Sequence, residues 1–275
     1  MTHIAPGALG LSVHAESNPM MDVFAFIAYD DTAWGETMGI PLQYSLDIPT
    51  RCLALLDACE KQIAVNEAHA RRYGGPLDTT LLIALASQMI LLPIERIVKH
   101  LGDEVVGYTD DRQLSPKVSE ALRKKIRGRS LRDNAQLAEF SWSFIPKAEV
   151  FPTSKGIPDD VADLLSGGPS QQAAQHMSMD QFVSCLRNSL AHGGVMYLDE
   201  NGYTSRSTAE MLLFVSAKQS RPEPFFDEST KRIVVPQPVT EALRLLRIST
   251  KDFRNFLYAW NEWLDEAGIS QEIAA

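Results

Sequence analysis

The sequence predicts a mainly α fold: an antiparallel helical bundle with a small β appendage of short strands and a hairpin. Three observations carry this expectation. Apolar residues recur at helical spacing in several long runs, most regularly at 179–192 and 249–268. The stretch "LLIALASQMILLPI" is apolar on nearly every side, as suits a buried central helix. Strand signals are confined to residues 1–48 and to about 195–237.

Residues 1–48 lack a helical period. "DVFAFIAYDD" and "LQYSLDI" are strand-like pieces among turn residues such as Asn18, Pro19, Gly35 and Gly39. They read as an N-terminal arm or small β appendage, and residues 49–275 as the helical domain. "TRCLALLDACEKQIAVNEAHARRYGG" predicts one helix with Leu53, Leu56, Ile63 and Val65 as apolar residues and Arg71 and Arg72 in its last turn. Gly74 and Gly75 stop it. A second helix is predicted over 78–101, antiparallel to the first and kinked at Pro93.

"SPKVSEALRKKIRG" predicts a third helix, with Ser115 as N-cap and Pro116 at the first helical position. "NAQLAEFSWSFIP" predicts a short helix. Residues 145–177 hold Pro146, Pro152 and Pro158 and read as a long insertion with one or two helical turns. In "SMDQFVSCLRNSLAHGG", Ser178 and Gln181 have capping-box spacing. Phe182, Val183, Leu186 and Leu190 share one face, and Gly193 and Gly194 supply a left-handed cap that leaves His192 in the last turn. "VMYLDENGYTS" carries a hairpin signal at Asn201 and Gly202. "MLLFVSA" and "RIVVPQ" are further short strands, and "VTEALRLLRI" returns to helix. The closing helix "STKDFRNFLYAWNEWLDEAG" has a stripe of Phe253, Phe256, Leu257, Trp260, Trp263 and Leu264.

Bulk properties bound the function. A chain of 275 residues with 45% hydrophobic and 22% charged residues excludes wholesale disorder. A net charge of −9 argues against non-specific coating of nucleic acid, while leaving room for a local basic groove. Three cysteines do not make a disulfide framework, and reduced thiols fit a cytoplasmic protein. The N-terminus has no basic residue ahead of its weak apolar patch, unlike a signal peptide. The longest apolar stretch falls short of the roughly 20 residues of a membrane helix, so no membrane association is expected.

Neither G-x-G-x-x-G nor G-x-x-x-x-G-K-[ST] occurs, nor H-E-x-x-H, nor G-x-S-x-G, and no cofactor or metal is expected. Cys52 and Cys59 share a helix face without further ligands near by and read as packed, reduced thiols. In residues 123–132 six of ten are basic: Arg123, Lys124, Lys125, Arg127, Arg129 and Arg132. This run is either a solvated helix end or an RNA-contacting phosphate patch.

The remaining cluster is Arg187, Asn188 and His192 at the capped end of a helix. Arg-x4-His alone is weak, since a pattern this short arises by chance. On a helix Arg187 and His192 lie about 140° apart, with Asn188 between them. All three point away from the Phe182, Leu186 and Leu190 face. That describes either a wet polar back, with His192 at the negative end of the helix dipole, or a site.

"LRNSLAHG" resembles the R-N-x-x-x-H signature of HEPN domains, found in many prokaryotic toxins and defence proteins. The likeness covers residues 50–265, and "LLPIER", residues 91–96, is similar to a segment of a plasmid-encoded branch. The resemblance implies a metal-independent endoribonuclease acting as a homodimer, with arginine and histidine from both subunits lining a cleft. It implies Arg187 and His192 as catalytic, Asn188 as supporting, and Glu95 as a candidate for the acidic residue that active members carry on an earlier helix. The insertion at 145–177 and the N-terminal arm depart from a minimal domain and leave substrate access open.

A histidine titrating near neutrality can take the 2′-hydroxyl proton or protonate the leaving 5′-oxygen. Arginine can hold the phosphate and the charge that develops on it. The products would be a 2′,3′-cyclic phosphate and a 5′-hydroxyl. The expected partners are RNA, a second copy of the chain, and an antitoxin or phage-defence component. The competing expectations are a non-catalytic HEPN-like bundle that binds RNA or nucleotide or serves as an interaction module, and a helical scaffold with a chance motif.

Overall fold

Two segments expected to be helical, or left in a loop, are strands, and they turn the expected bundle into a mixed fold. The structure is a computed structural model that describes residues 44–95, 116–220 and 222–266. These belong to the compact unit 41–275. "DVFAFIAYDD", Ser115 and Arg96 lie outside the described residues, as does the predicted helical extension from 96 to 101.

The elements in order are α1 (Tyr44–Ala64), α2 (Glu67–Tyr73), α3 (Asp78–Pro93), α4 (Pro116–Ile126), α5 (Ala135–Ala138), β1 (Ser143–Ala148), α6 (Asp159–Ser166), α7 (Gly168–His176), α8 (Met179–Ala191), β2 (Val195–Leu198), β3 (Met211–Ser220), β4 (Phe225–Asp227), β5 (Arg232–Val234), β6 (Val239–Ser249) and α9 (Thr250–Asp265). Among the described residues, these helices and a four-stranded antiparallel sheet make a mixed α/β fold rather than a mainly α bundle with a β appendage. The sheet is not an appendage: four antiparallel strands in the order β1-β6-β3-β2 form the floor on which the helices pack.

β6 explains the correction. "VTEALRLLRI" is rich in Leu, Ala, Glu and Arg, all good helix formers. Its strand state comes from burial on both faces. Leu246 and Ile248 join the large helical core, while Leu243 and Leu245 face a second core built with Val161, Ala162 and Leu165 of α6. A strand buried on both sides shows no apolar–polar alternation for a sequence reading to find. β1 was masked differently, by Pro146. Proline is tolerated there because β1 is an edge strand and its register shifts between Ile145 and Ala148. The insertion at 145–177 is largely built: β1 continues to Ala148, and α6 and α7 fill most of the rest.

Three further expectations also change, the first of them a strand-like piece that is helical. "LQYSLDI" lies within α1 from Tyr44 onward. The single helix expected over 50–73 breaks after Ala64, where Asn66 caps α2 by accepting from the His69 amide at 3.0 Å. α3 ends at Pro93 and continues through Glu95 as a wider π-type turn. Proline has no N–H, so the Met89 carbonyl one turn earlier loses its helical partner. The Trp260 indole donates to that carbonyl at 3.1 Å, locking the bent end of α3 to α9.

α3 is the central helix, packed against α1, α8 and α9. Trp142 stands edge-on to Phe182 at 5.0 Å and to Phe256 at 5.1 Å, joining β1, α8 and α9 in one aromatic cluster. The Trp142 indole donates to the Leu137 carbonyl at 3.2 Å. Cys52 is buried, and burial pushes its thiol pKa up. Among the described residues no single helix is long and apolar enough to cross a membrane.

Candidate active site

α8 is the element that presents the motif, and local sequence chemistry sets both of its ends. Ser178 caps the start, its hydroxyl accepting from the Gln181 amide at 3.1 Å. The helix ends at Ala191 with His192 as the C-cap, one position beyond the last turn expected for it. The two glycines then act for different reasons. Gly193 has φ +67°, the left-handed conformation that glycine adopts without Cβ strain. Gly194 donates to the Ser189 carbonyl at 2.7 Å, the long bond of a Schellman cap. It also lies so close to β3 that an added Cβ would sit 2.4 Å from the Val215 carbonyl oxygen. The Val215 amide donates to the Gly194 carbonyl at 2.7 Å, so the cap is pinned to the sheet and His192 with it.

The polar trio does not form one wet back. Phe182, Val183, Cys185, Leu186, Ser189 and Leu190 are all buried, a broad arc that leaves Arg187 on one flank and Asn188 and His192 on the other. Arg187 pairs through Nε with Glu95, in the π-type turn after α3. Its side chain then crosses the back of the helix, and Nη1 donates to Asn188 Oδ1 at 2.6 Å. Asn188 Nδ2 in turn reaches Ser216 Oγ on β3 at 3.4 Å. The 140° between Cα positions therefore overstates the separation of the functional groups, because the guanidinium reaches across to Asn188. Arg187 and Glu95 are 24% and 34% exposed at their side chains, so the pair is open to a ligand. His192 is exposed at the helix end.

The structure thus brings Glu95, Arg187 and Asn188 into one network, with His192 one turn beyond Asn188. It does not bring the basic run to them. The Leu131 amide donates to the Met177 carbonyl and the Met179 amide to the Arg129 carbonyl, both at 2.9 Å, so the end of the run lies at the start of α8. α8 has 13 residues, about 20 Å of helix, between there and His192. Lys125 donates to the Trp263 carbonyl at 2.9 Å and pairs with Glu266 at 3.0 Å, fastening α4 to α9. Arg132 meets His176 Nε2 at 3.0 Å. Arg127 and Arg129 are exposed. Arg123 and Lys124 lie near the C-terminal end of α4.

Sequence reasoning missed Ser216 and Arg244. Both lie on strands and face the helices: Ser216 is the register partner of Arg244, on the same side as Phe214 and Leu246. A helical reading of β6 hides that pairing.

A family model described as HEPN pEK499 p136 matches residues 36–271 of the chain. No curated protein and no solved structure matches it.

Proposed function

The chain belongs to the HEPN pEK499 p136 family, and from that membership and the geometry of its motif we propose that it is a metal-independent endoribonuclease. The observation that carries the reading is the placement of a half-buried, oriented guanidinium and an exposed imidazole on one helix end. Arg187 is held by Glu95 and Asn188, while His192 is exposed at a cap pinned to the sheet. Arg187 holds the scissile phosphate and the charge it gains in the transition state. Water takes the 2′-hydroxyl proton as that oxygen attacks phosphorus, the bond to the 5′-oxygen breaks, and His192 gives the leaving 5′-oxygen a proton. The test is cleavage of RNA in excess chelator, with the ends of the fragments identified.

The active unit in this reading is a homodimer. A two-fold axis would set the same exposed helix end from each copy across one groove, supplying arginine and histidine from both. The physiological setting that fits is a toxin or phage-defence effector, held in check by a partner such as an antitoxin.

Glu95 is a positioning residue. Its carboxylate fixes the guanidinium but also offsets part of the charge offered to phosphate. Glu95→Gln is expected to lower kcat about 10-fold or more while KM stays level or falls, because orientation is lost and attraction is not. Steady-state kinetics on a short RNA check this, and a raised KM with unchanged kcat would contradict the role.

A further inference from the structure

The hydrogen-bonded network Glu95–Arg187–Asn188–Ser216 ends on β3. Arg244 stands directly across from Ser216 in the β3–β6 register, on the face that packs against α8. Cross-strand partners on one face have Cβ atoms about 5 Å apart. The Arg244 charge also acts on Cys185 of α8; burial pushes that thiol up to about 12, and Arg244 opposes the shift. Because Ser216 is bonded to Asn188, the register sets Arg244 on the Asn188 side of the motif helix.

Arg244 differs from the other inward arginines in what it holds. Arg187 pairs with Glu95, Arg254 with Asp57 and Glu60, and Arg247 donates to Ser166 and to the Leu165 carbonyl. Arg244 has no carboxylate partner among the described residues, and its buried Nε has no hydrogen-bond partner. A half-buried guanidinium with no carboxylate beside it and a buried donor unmet costs free energy that an anion at its fork would offset. Its planar fork matches phosphate oxygens in pairs.

We propose that Arg244 is a second phosphate-binding arginine, which takes a backbone phosphodiester of the RNA next to the one held by Arg187. This rests on the reading of the Arg187 and His192 end as an RNA site. The strand would then be held at two points, Arg187 on the helix and Arg244 on the sheet, with the half-buried Asn188 between them and Ser216 buried beneath.

The test is binding of a 2′-O-methyl RNA oligonucleotide, which has no free 2′-hydroxyl and stays intact. Affinity is measured over a salt series for the wild type, Arg244→Met and Arg244→Lys. Methionine keeps the apolar stem that packs on the core and removes the charge. The expected result is about 10-fold weaker binding by Arg244→Met, with a slope of log affinity against log salt reduced by about 0.7, one phosphate contact of a single strand. Arg244→Lys should restore the slope and part of the affinity. Met and wild type with equal affinity and slope, in a protein that cleaves natural RNA, overturn the role of Arg244 and leave the nuclease intact. Weaker binding with an unchanged slope also overturns it, since only packing was lost. Arg244-dependent binding without cleavage of any natural RNA overturns the nuclease and keeps Arg244. A wild type that binds no oligonucleotide overturns both.

Discussion

His192→Ala is expected to lower kcat for RNA cleavage by about 10²–10⁴-fold, the usual contribution of a positioned general acid. Arg187→Ala is expected to cost about 10²–10³-fold, the loss of a preorganised donor to developing charge. Neither loss should come from unfolding. His192 is exposed at a helix end, and Arg187 is half-buried with its contacts on the surface network. Surface changes of this kind stay within about 0.5 kcal/mol as a rule, so melting temperatures should move little for His192→Ala. Arg187→Ala leaves Glu95 without its guanidinium and should cost slightly more. Mixing the two inactive variants adds a test of the composite site. Mixed dimers bring together one intact Arg187 and one intact His192, and a fraction of the activity should return. Two folded variants with wild-type turnover would remove the catalytic reading of the motif.

Gly194→Ala is expected to be the most damaging small substitution near the site. A methyl group there meets a backbone oxygen at 2.4 Å, and a strand carbonyl in a ladder cannot step aside as a flexible side chain can. Either the cap or β3 must move, which puts at risk the Gly194–Ser189 and Val215–Gly194 hydrogen bonds. Overpacking of this kind costs about 1–3 kcal/mol, and lost hydrogen bonds add to it. For a domain this size each kcal/mol lowers Tm by about 2–4 °C, so a fall of about 5–10 °C is expected. Activity should fall further than stability accounts for, because the displaced segment is the one that holds His192. Thermal melting beside kinetics below the transition separates the two effects. Gly193→Ala should be milder, about 1–2 kcal/mol for a left-handed residue with open space around it.

α8 could be read from sequence because its signals are local. Ser178, the apolar face from Phe182 to Leu190 and the glycine pair each act within a turn or two of chain, and the structure keeps them. The aromatic stripe of α9 is equally local, and Phe253, Phe256, Trp260 and Trp263 are all buried as that stripe requires. β6 could not be read, because its strand state depends on β1 and β3 at its sides and on helices over both faces. With β6 misread, the sheet became an appendage, and Ser216 and Arg244 had no place beside the motif. The link between Glu95 and Arg187 shows the same division. The resemblance put forward Glu95 as a candidate, but its position follows from Pro93 ending α3 and from Trp260 holding the freed carbonyl, a contact 171 residues apart in the chain. The basic run 123–132 was conspicuous as composition, yet its best-placed side chains fasten α4 to α9 and Arg132 to α7.

The most direct test of the account is the chemistry of the cut ends. Purified protein is incubated in excess chelator with an RNA it cleaves and with the same RNA carrying one 2′-deoxy sugar on the 5′ side of the scissile bond. The expected fragments end in a 2′,3′-cyclic phosphate and begin with a 5′-hydroxyl, with no cut at the deoxy position, because the attacking oxygen has been removed. Cleavage that stops in chelator, leaves 5′-phosphates, or proceeds at the deoxy sugar would contradict it.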